Sequence, residues 1–272
     1  MVNRMRVILS RKGFDSSNGG ITSPIFEDGS MVSFPIPSDD KDTYDDLVNK
    51  GKSYSCVLGD LGYKGGKHCH VDPDLDQGRR KKTIDGWIPA FGQHSASASY
   101  LMKNDVREGD IFLFFGNFHH VKECDGKYRR VCRTGDFYKD KDLQVIWGYL
   151  QVGKVLKRPD EQRKLWWHPH SSEARVNSDA NVIFTAADTL SFDSSKPGAG
   201  LLAFDEKRVL TLLGANKATW KKNTVYDVDH ICGNRKNSAK DLGKGIYYAG
   251  IWQELVLKES AECEEWAKQI IL

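Results

Sequence analysis

The chain has 272 residues and sets 40 Lys and Arg against 37 Asp and Glu, a net charge of +3. It is long enough to bury a substantial core without staples, and its charge balance excludes the global attraction of a strongly basic protein to polynucleotide. Six dispersed cysteines (Cys56, Cys69, Cys124, Cys132, Cys232 and Cys263) lack C-x-x-C spacing, which excludes a zinc ribbon and calls for no disulfide framework.

Residues 6–9, with the apolar Val7, Ile8 and Leu9, are predicted to be a first buried strand. The N-terminal stretch is too short for a signal peptide or membrane span, so a cytoplasmic location and no membrane partner are expected. The loop at 10–20 is dense in hydroxyls, charge and glycine. Its Ser10, Arg11, Lys12, Phe14, Asp15 and Ser16, with backbone amides freed by Gly19 and Gly20, form a candidate phosphate or nucleotide contact. The loop has neither P-loop spacing nor a dinucleotide fingerprint, and an ordinary polar turn explains it equally well. Prolines keep 23–37 in short extended pieces, and a helix is expected over 43–50. Residues 59–87 are rich in Gly, Asp, His and Lys and are predicted to be a long irregular segment, a kind of loop usually functional or mobile.

Within that segment His68, His70 and Asp72 stand at alternate positions. On an extended backbone they face one way, with Cys69 opposite and Asp74 continuing the series. Imidazole with carboxylate suits zinc, manganese or iron, which makes His68, His70 and Asp72 candidate metal ligands. Without metal, His70, Asp72 and Asp74 are the minimum equipment for general-base catalysis. The Asp72-Pro73-Asp74 run is also a good turn sequence.

A helix is predicted over 91–103. Gln93 enters it as a polar contact, and Ser95 beside His94 makes a poor nucleophile pair because neighbours on a helix point apart. Two strands buried on both faces follow, 111–115 after the Gly109-Asp110 turn and 145–153. Gly148 and Gly153 mark bends or close backbone approaches in the second. His119 and His120, after Phe118, are assigned to a loop. Trp166 and Trp167 before His168 and His170 suit base stacking with edge recognition, or else a core-sealing pair. Strands are expected over 181–186, 208–213 and 250–257, a turn at 196–200, a short helix opening at 217–220 and a terminal helix over 263–272. Basic clusters at 79–82, 127–130 with Arg133, 154–164 and 217–222 are the local patches able to touch phosphate.

The order Gly-Asp turn, apolar strand, loop, Gly-containing strand and basic tail resembles the PUA-like superfamily, especially its EVE and ASCH branches. More specifically, a set of segments is similar to the nucleotide-modification-associated domain family of the third type. They are 7–16 with Gly19-Gly20 and 23–25, 69–75, 91–93, 109–116, 147–153, His168-Pro-His170, Leu210-Thr211 and Trp252-Gln-Glu254. The resemblance implies bacterial or phage systems that make, read or act on altered nucleotides, with DNA or a modified nucleotide, and proteins of a modification system, as partners. It implies no particular reaction.

The expectation is therefore an α+β protein. A PUA-like, mostly antiparallel β-barrel core within 88–272 would be wrapped by a loop-rich N-terminal lobe, 1–87, with a nucleotide pocket between the two. Recognition of a modified base by Phe14, Phe118, Trp166 or Trp167 is the first function expected. The alternative is a nucleotide- or base-modifying enzyme using the His/Asp site, with or without a divalent metal.

Overall fold

The computed structural model describes residues 4–178, 180–248 and 253–272. The N-terminal part carries strands β1 (Val7–Arg11), β2 (Ser23–Ile25), β3 (Ile36–Pro37), β4 (Val48–Asn49) and β5 (Lys52–Ser53), helix α1 (Tyr54–Asp60) and β6 (Cys69–His70). The middle carries β7 (Ala90–His94), α2 (Ser95–Lys103), β8 (Ile111–Cys124), β9 (Lys127–Arg130), α3 (Phe137–Asp140), β10 (Leu143–Leu156), α4 (Pro159–Gln162), α5 (Glu173–Val176) and β11 (Asn181–Ala186). The last part carries β12 (Thr189–Leu190), β13 (Asp193–Pro197), β14 (Ala199–Leu201), β15 (Thr219–Lys221), β16 (Ala239–Asp241), β17 (Gly245–Tyr248), β18 (Glu254–Val256) and α6 (Ala261–Ile271).

The protein is α+β, organised on one nine-stranded sheet in the order β18-β1-β8-β10-β11-β7, with β2 and β9 added to β8 and β14 to β10. Most pairings are antiparallel, but β1 and β2 both run parallel to β8. The two apolar runs predicted as strands become the paired strands β8 and β10 at its centre. Along β8, Ile111, Leu113 and Phe115 enter one core with Leu9, Trp220 and the apolar stripe of α6. Phe112 and Phe114 enter a second core with Phe91, Phe184 and Leu150. Burial on both faces is why the strand has no polar alternation.

The pairing register shifts between Ile146 and Gly148 and again between Val152 and Lys154, so both glycine sites are bulges. A Cβ at Gly153 would lie 2.6 Å from the Ala186 carbonyl oxygen, too close for any side chain. Bulges add twist, and the sheet curls accordingly. It does not close into the expected barrel. Helix α2 occupies the gap between the edge strands β7 and β18, where its Tyr100 hydroxyl accepts from Val256 N and donates to Cys232 O. Gln93 and Glu254 bridge the same gap by a side-chain hydrogen bond.

Several expected elements differ. Residues 43–50 form turns and β4 instead of a helix. The Asp46 carboxylate accepts from Thr43 N and Oγ1, and Lys50 (φ 51°) and Gly51 (φ 80°) make a two-residue hairpin turn joining β4 to β5. The helix expected from Phe91 starts only at Ser95, because 90–94 pair with β11. His119 and His120, assigned to a loop, lie within β8. Residues 208–213 make only isolated bridges at Val209 and Thr211, whereas 219–221, expected to open a helix, pair with β17. The turn at 196–200 is instead drawn into β13 and β14. Of the predicted strand at 250–257, Gly250, Ile251 and Trp252 lie outside the described residues, and β18 supplies the rest. No helix among the described residues is long and apolar enough to cross a membrane.

Candidate functional site

The end of β1, the end of β7, the segment after β6 and the turn at 169–171 meet around a cavity of about 130 Å³. Arg11 at the end of β1 lines it with Lys12, Asp15 and Asn18 of the following loop, His70 at the end of β6 with Asp72 just after it, Gln93 and His94 from β7, and His170 and Gln253 from beyond. Residues from both sides of position 87 therefore share one pocket.

Asp72 lies at its floor with a side chain 3 % exposed. Its Oδ1 accepts from Gly92 N at 2.7 Å and lies 3.2 Å from His168 Nε2. Its Oδ2 is 3.9 Å from His70 Nε2 and 3.8 Å from His170 Nε2. The opposite nitrogens of both imidazoles are braced. His70 Nδ1 is 2.6 Å from Asp40 Oδ2, and Arg175 donates to Asp40 Oδ1 at 2.7 Å. His170 Nδ1 is 2.8 Å from Asn181 Oδ1, whose amide nitrogen donates to Gln162 Oε1 and the His170 carbonyl. His170 can approach β7 only because residue 92 is glycine: a Cβ there would fall inside the imidazole ring.

Burial alone would raise the Asp72 carboxyl, but His168, His170 and Lys12 outweigh it and hold it well below the usual carboxylate range. Asp40 behaves alike: burial opposes ionisation, and hydrogen bonds from His70 and Arg175 prevail. Burial pushes His170 down to about 3 against the attraction of Asp72, so its ring is neutral at neutral pH. His94 is lowered by burial together with Arg175 and His70. The pocket thus couples an ionised carboxylate to a neutral imidazole, the states that both metal ligation and general-base catalysis require.

A family model described as nucleotide modification associated domain 3 matches residues 6–258. The chain belongs to this family. No curated protein and no solved structure matches it. Association with nucleotide modification is therefore the context in which this member of the nucleotide modification associated domain 3 family is to be understood.

Of the residues singled out from sequence, Arg11, Lys12, Asp15, His70, Asp72, Gln93 and His170 line the cavity, and His168 supports Asp72 from behind. Others fall elsewhere. His68 is exposed and bonded through Nδ1 to the Asp40 carbonyl, outside the His70–Asp72–His170 group, because β6 is only two residues long and does not extend the alternation to it. Asp74 turns away to Arg80 (2.8 Å) and the Trp87 indole (2.9 Å), where burial raises its carboxyl against the pull of those partners. Its role is to neutralise buried Arg80.

Phe14 packs on Phe34, Tyr44 and Tyr63, and Phe118 is buried in the sheet, so neither is available to stack on a base. Trp167 is in the core with Leu165 and Ile183. Ser10 is buried and Ser16 exposed, and neither lines the cavity. Trp166 alone of these aromatics is open, 62 % exposed, with the Lys41 ammonium 4.8 Å from its ring centre. Asp40, Asn181, Arg175 and Gln253 were missed. Asp40 is 30 positions from His70 in sequence, and nothing local links the two.

Proposed function

We propose that the protein is an enzyme acting on a nucleotide or nucleobase, with the His70–Asp72–His170 group as its chemical centre. The observation that carries this reading is an ionised carboxylate buried among imidazoles at the floor of an open cavity. Burying charge is costly, and such a perturbed group in a cleft is where catalytic residues concentrate. Arg11, Lys12 and Asn18 at the rim suit a phosphate, and Gln93 and His94 suit the polar edge of a base. In the metal-free site the Nε2 lone pairs of His70 and His170 are placed to take a proton from water or a substrate hydroxyl. A PUA-like kinship of the curled sheet and a place in a bacterial or phage modification or defence system rest on the sequence resemblance, and a cytoplasmic setting rests on the dispersed cysteines and the short N-terminal apolar stretch.

A reader of modified bases retains one favouring observation, the exposed Trp166 with Lys41 beside it. The two readings separate experimentally. Deoxynucleoside 5′-monophosphates, plain and 5-substituted, are titrated calorimetrically against wild-type protein, Asp72→Asn and Trp166→Ala, and each mixture is analysed for product by mass spectrometry. The enzyme reading expects Asp72→Asn to bind and to lose at least tenfold in conversion. Binding abolished by Trp166→Ala, with no conversion by the wild type, would replace it with the reader.

A further inference from the structure

The three groups at the cavity floor present a problem that hydrogen bonding alone does not solve. Asp40 is a carboxylate and can only accept, so the 2.6 Å contact makes His70 Nδ1 the protonated nitrogen and leaves a lone pair on Nε2 in the neutral ring. Asn181 uses its amide nitrogen on Gln162 and the His170 carbonyl, so its oxygen faces His170 Nδ1 and the lone pair again falls on Nε2. Asp72 gives Oδ1 to the Gly92 amide and turns Oδ2 to the two imidazoles. With both rings neutral, three acceptors therefore converge, all within 4.8 Å of one another. Such an arrangement is repulsive unless a metal ion or a shared proton occupies its centre.

We propose that His70 Nε2, His170 Nε2 and Asp72 Oδ2 bind one divalent transition-metal ion, leaving its remaining positions open to the cavity. The braces on the far side of each ligand, Asp40 with Arg175, Asn181 and the Gly92 amide, are the outer partners that metal-bound histidines and carboxylates ordinarily have. Two imidazoles and one carboxylate on one face suit iron(II), manganese(II), cobalt(II) or zinc rather than magnesium or calcium, which prefer all-oxygen sites. Metal–ligand bonds of about 2.0–2.2 Å set ligand atoms roughly 3.3–3.6 Å apart in a tetrahedral site and roughly 2.8–3.1 Å apart at right angles, so the present 3.8 and 3.9 Å separations must close on binding. His168 stays outside as a positioning residue: its Nδ1 accepts from His170 N, which leaves the proton on Nε2, 3.2 Å from Asp72 Oδ1. The inference rests on the enzyme reading for the identity of the pocket, while the coordination argument stands on the three residues themselves.

The test uses the untagged full chain, stripped with chelator and titrated with Co²⁺, followed by visible absorption and by elemental analysis after desalting. The expected result is one cobalt per chain with ligand-field bands. Both should be lost in Asp72→Asn and His170→Gln and kept in His68→Ala, with circular dichroism showing that each variant is folded. Absence of cobalt uptake by folded wild-type protein would mean that a shared proton holds the acceptors together, and the proposal would fall. Retention of stoichiometric cobalt in both Asp72→Asn and His170→Gln would also overturn it. Calorimetry with a deoxynucleoside monophosphate on the same stripped protein reports on the pocket separately, so loss of the metal claim alone remains distinguishable from loss of the nucleotide claim.

Discussion

At the scale of single residues, the site is built from groups whose protonation the fold has already decided. His170 is the clearest case: burial, outweighing Asp72, lowers it to about 3, whereas an unfolded histidine titrates near about 6.5. Between those values the unfolded chain takes up a proton that the folded chain refuses. The stability contributed by the neutral ring is therefore complete above about pH 6.5 and lost progressively as pH falls toward 3. His120, pushed down to about 4 by burial, acts in the same sense. The depressed carboxyls of Asp40 and Asp72 add their own loss only below the ordinary carboxylate range, as pH falls through their folded values. Urea unfolding of metal-free protein between pH 5 and pH 7 should thus show stability rising with pH, by up to about 1.4 kcal/mol per unit for each proton involved. His170→Gln should be less stable at neutral pH and show a shallower rise. An unchanged slope would mean that His170 titrates normally.

At the scale of elements, the pocket depends on how closely the turn at 169–171 approaches β7. Gly92→Ala should drive the His170 ring off the strand, because the added methyl and the imidazole occupy the same space. Overpacking of this kind costs about 1–3 kcal/mol, so a folded but less stable protein is expected, with cobalt uptake reduced alongside the melting temperature. Retained uptake at an unaltered melting temperature would show that the turn moves freely. This close approach is also where sequence reasoning ended. The alternation of His70 and Asp72 was legible because a strand period of two is local. So were β8 and β10, whose unbroken apolar runs admit few other structures. The union of His70 with His170, 100 positions away, and with Asp40 comes from the lateral packing of β6, β7 and the turn at 169–171, which no local pattern encodes. Residues 43–50 misled for the opposite reason. Their composition allowed a helix, but Asp46 bonds to Thr43 and the Lys50-Gly51 turn committed the backbone to a hairpin. Phe14 and Trp167 were chemically suited to stacking, yet the same apolar area was needed to fill cores.

At the scale of the whole molecule, the charge distribution bears on what size of ligand the pocket serves. Several arginines of the basic clusters are engaged within the protein. Arg80, its side chain only 5 % exposed, pairs with Asp42 and Asp74. Arg79 meets Asn49 and Asp76, Arg130 meets Asp142, Arg158 meets Glu161, and Arg163 meets Glu173. Even in the pocket, Arg11 faces Asp15 at 3.5 Å and Lys12 faces Glu254 at 3.4 Å, so each cation would be shared between a carboxylate and an incoming phosphate. Such a pocket can neutralise one or two phosphates. Counterion release then sets the salt dependence: single-stranded binding falls by a log–log slope of about 0.7 per phosphate contacted, so the expected slope lies below about 2. Fluorescence anisotropy of a labelled short oligodeoxynucleotide, measured from about 50 to about 200 mM salt, supplies that slope. Lys12→Ala should lower it by roughly one contact, while substitutions at Arg158 or Arg163 should leave it unchanged. A slope steeper than about 4 would contradict the argument, because so many released counterions need a phosphate-binding groove beyond this cavity. A shallow slope, with a mononucleotide binding nearly as well as the oligomer, places the recognition free energy on one nucleotide and its base, next to Asp72 and the two imidazoles.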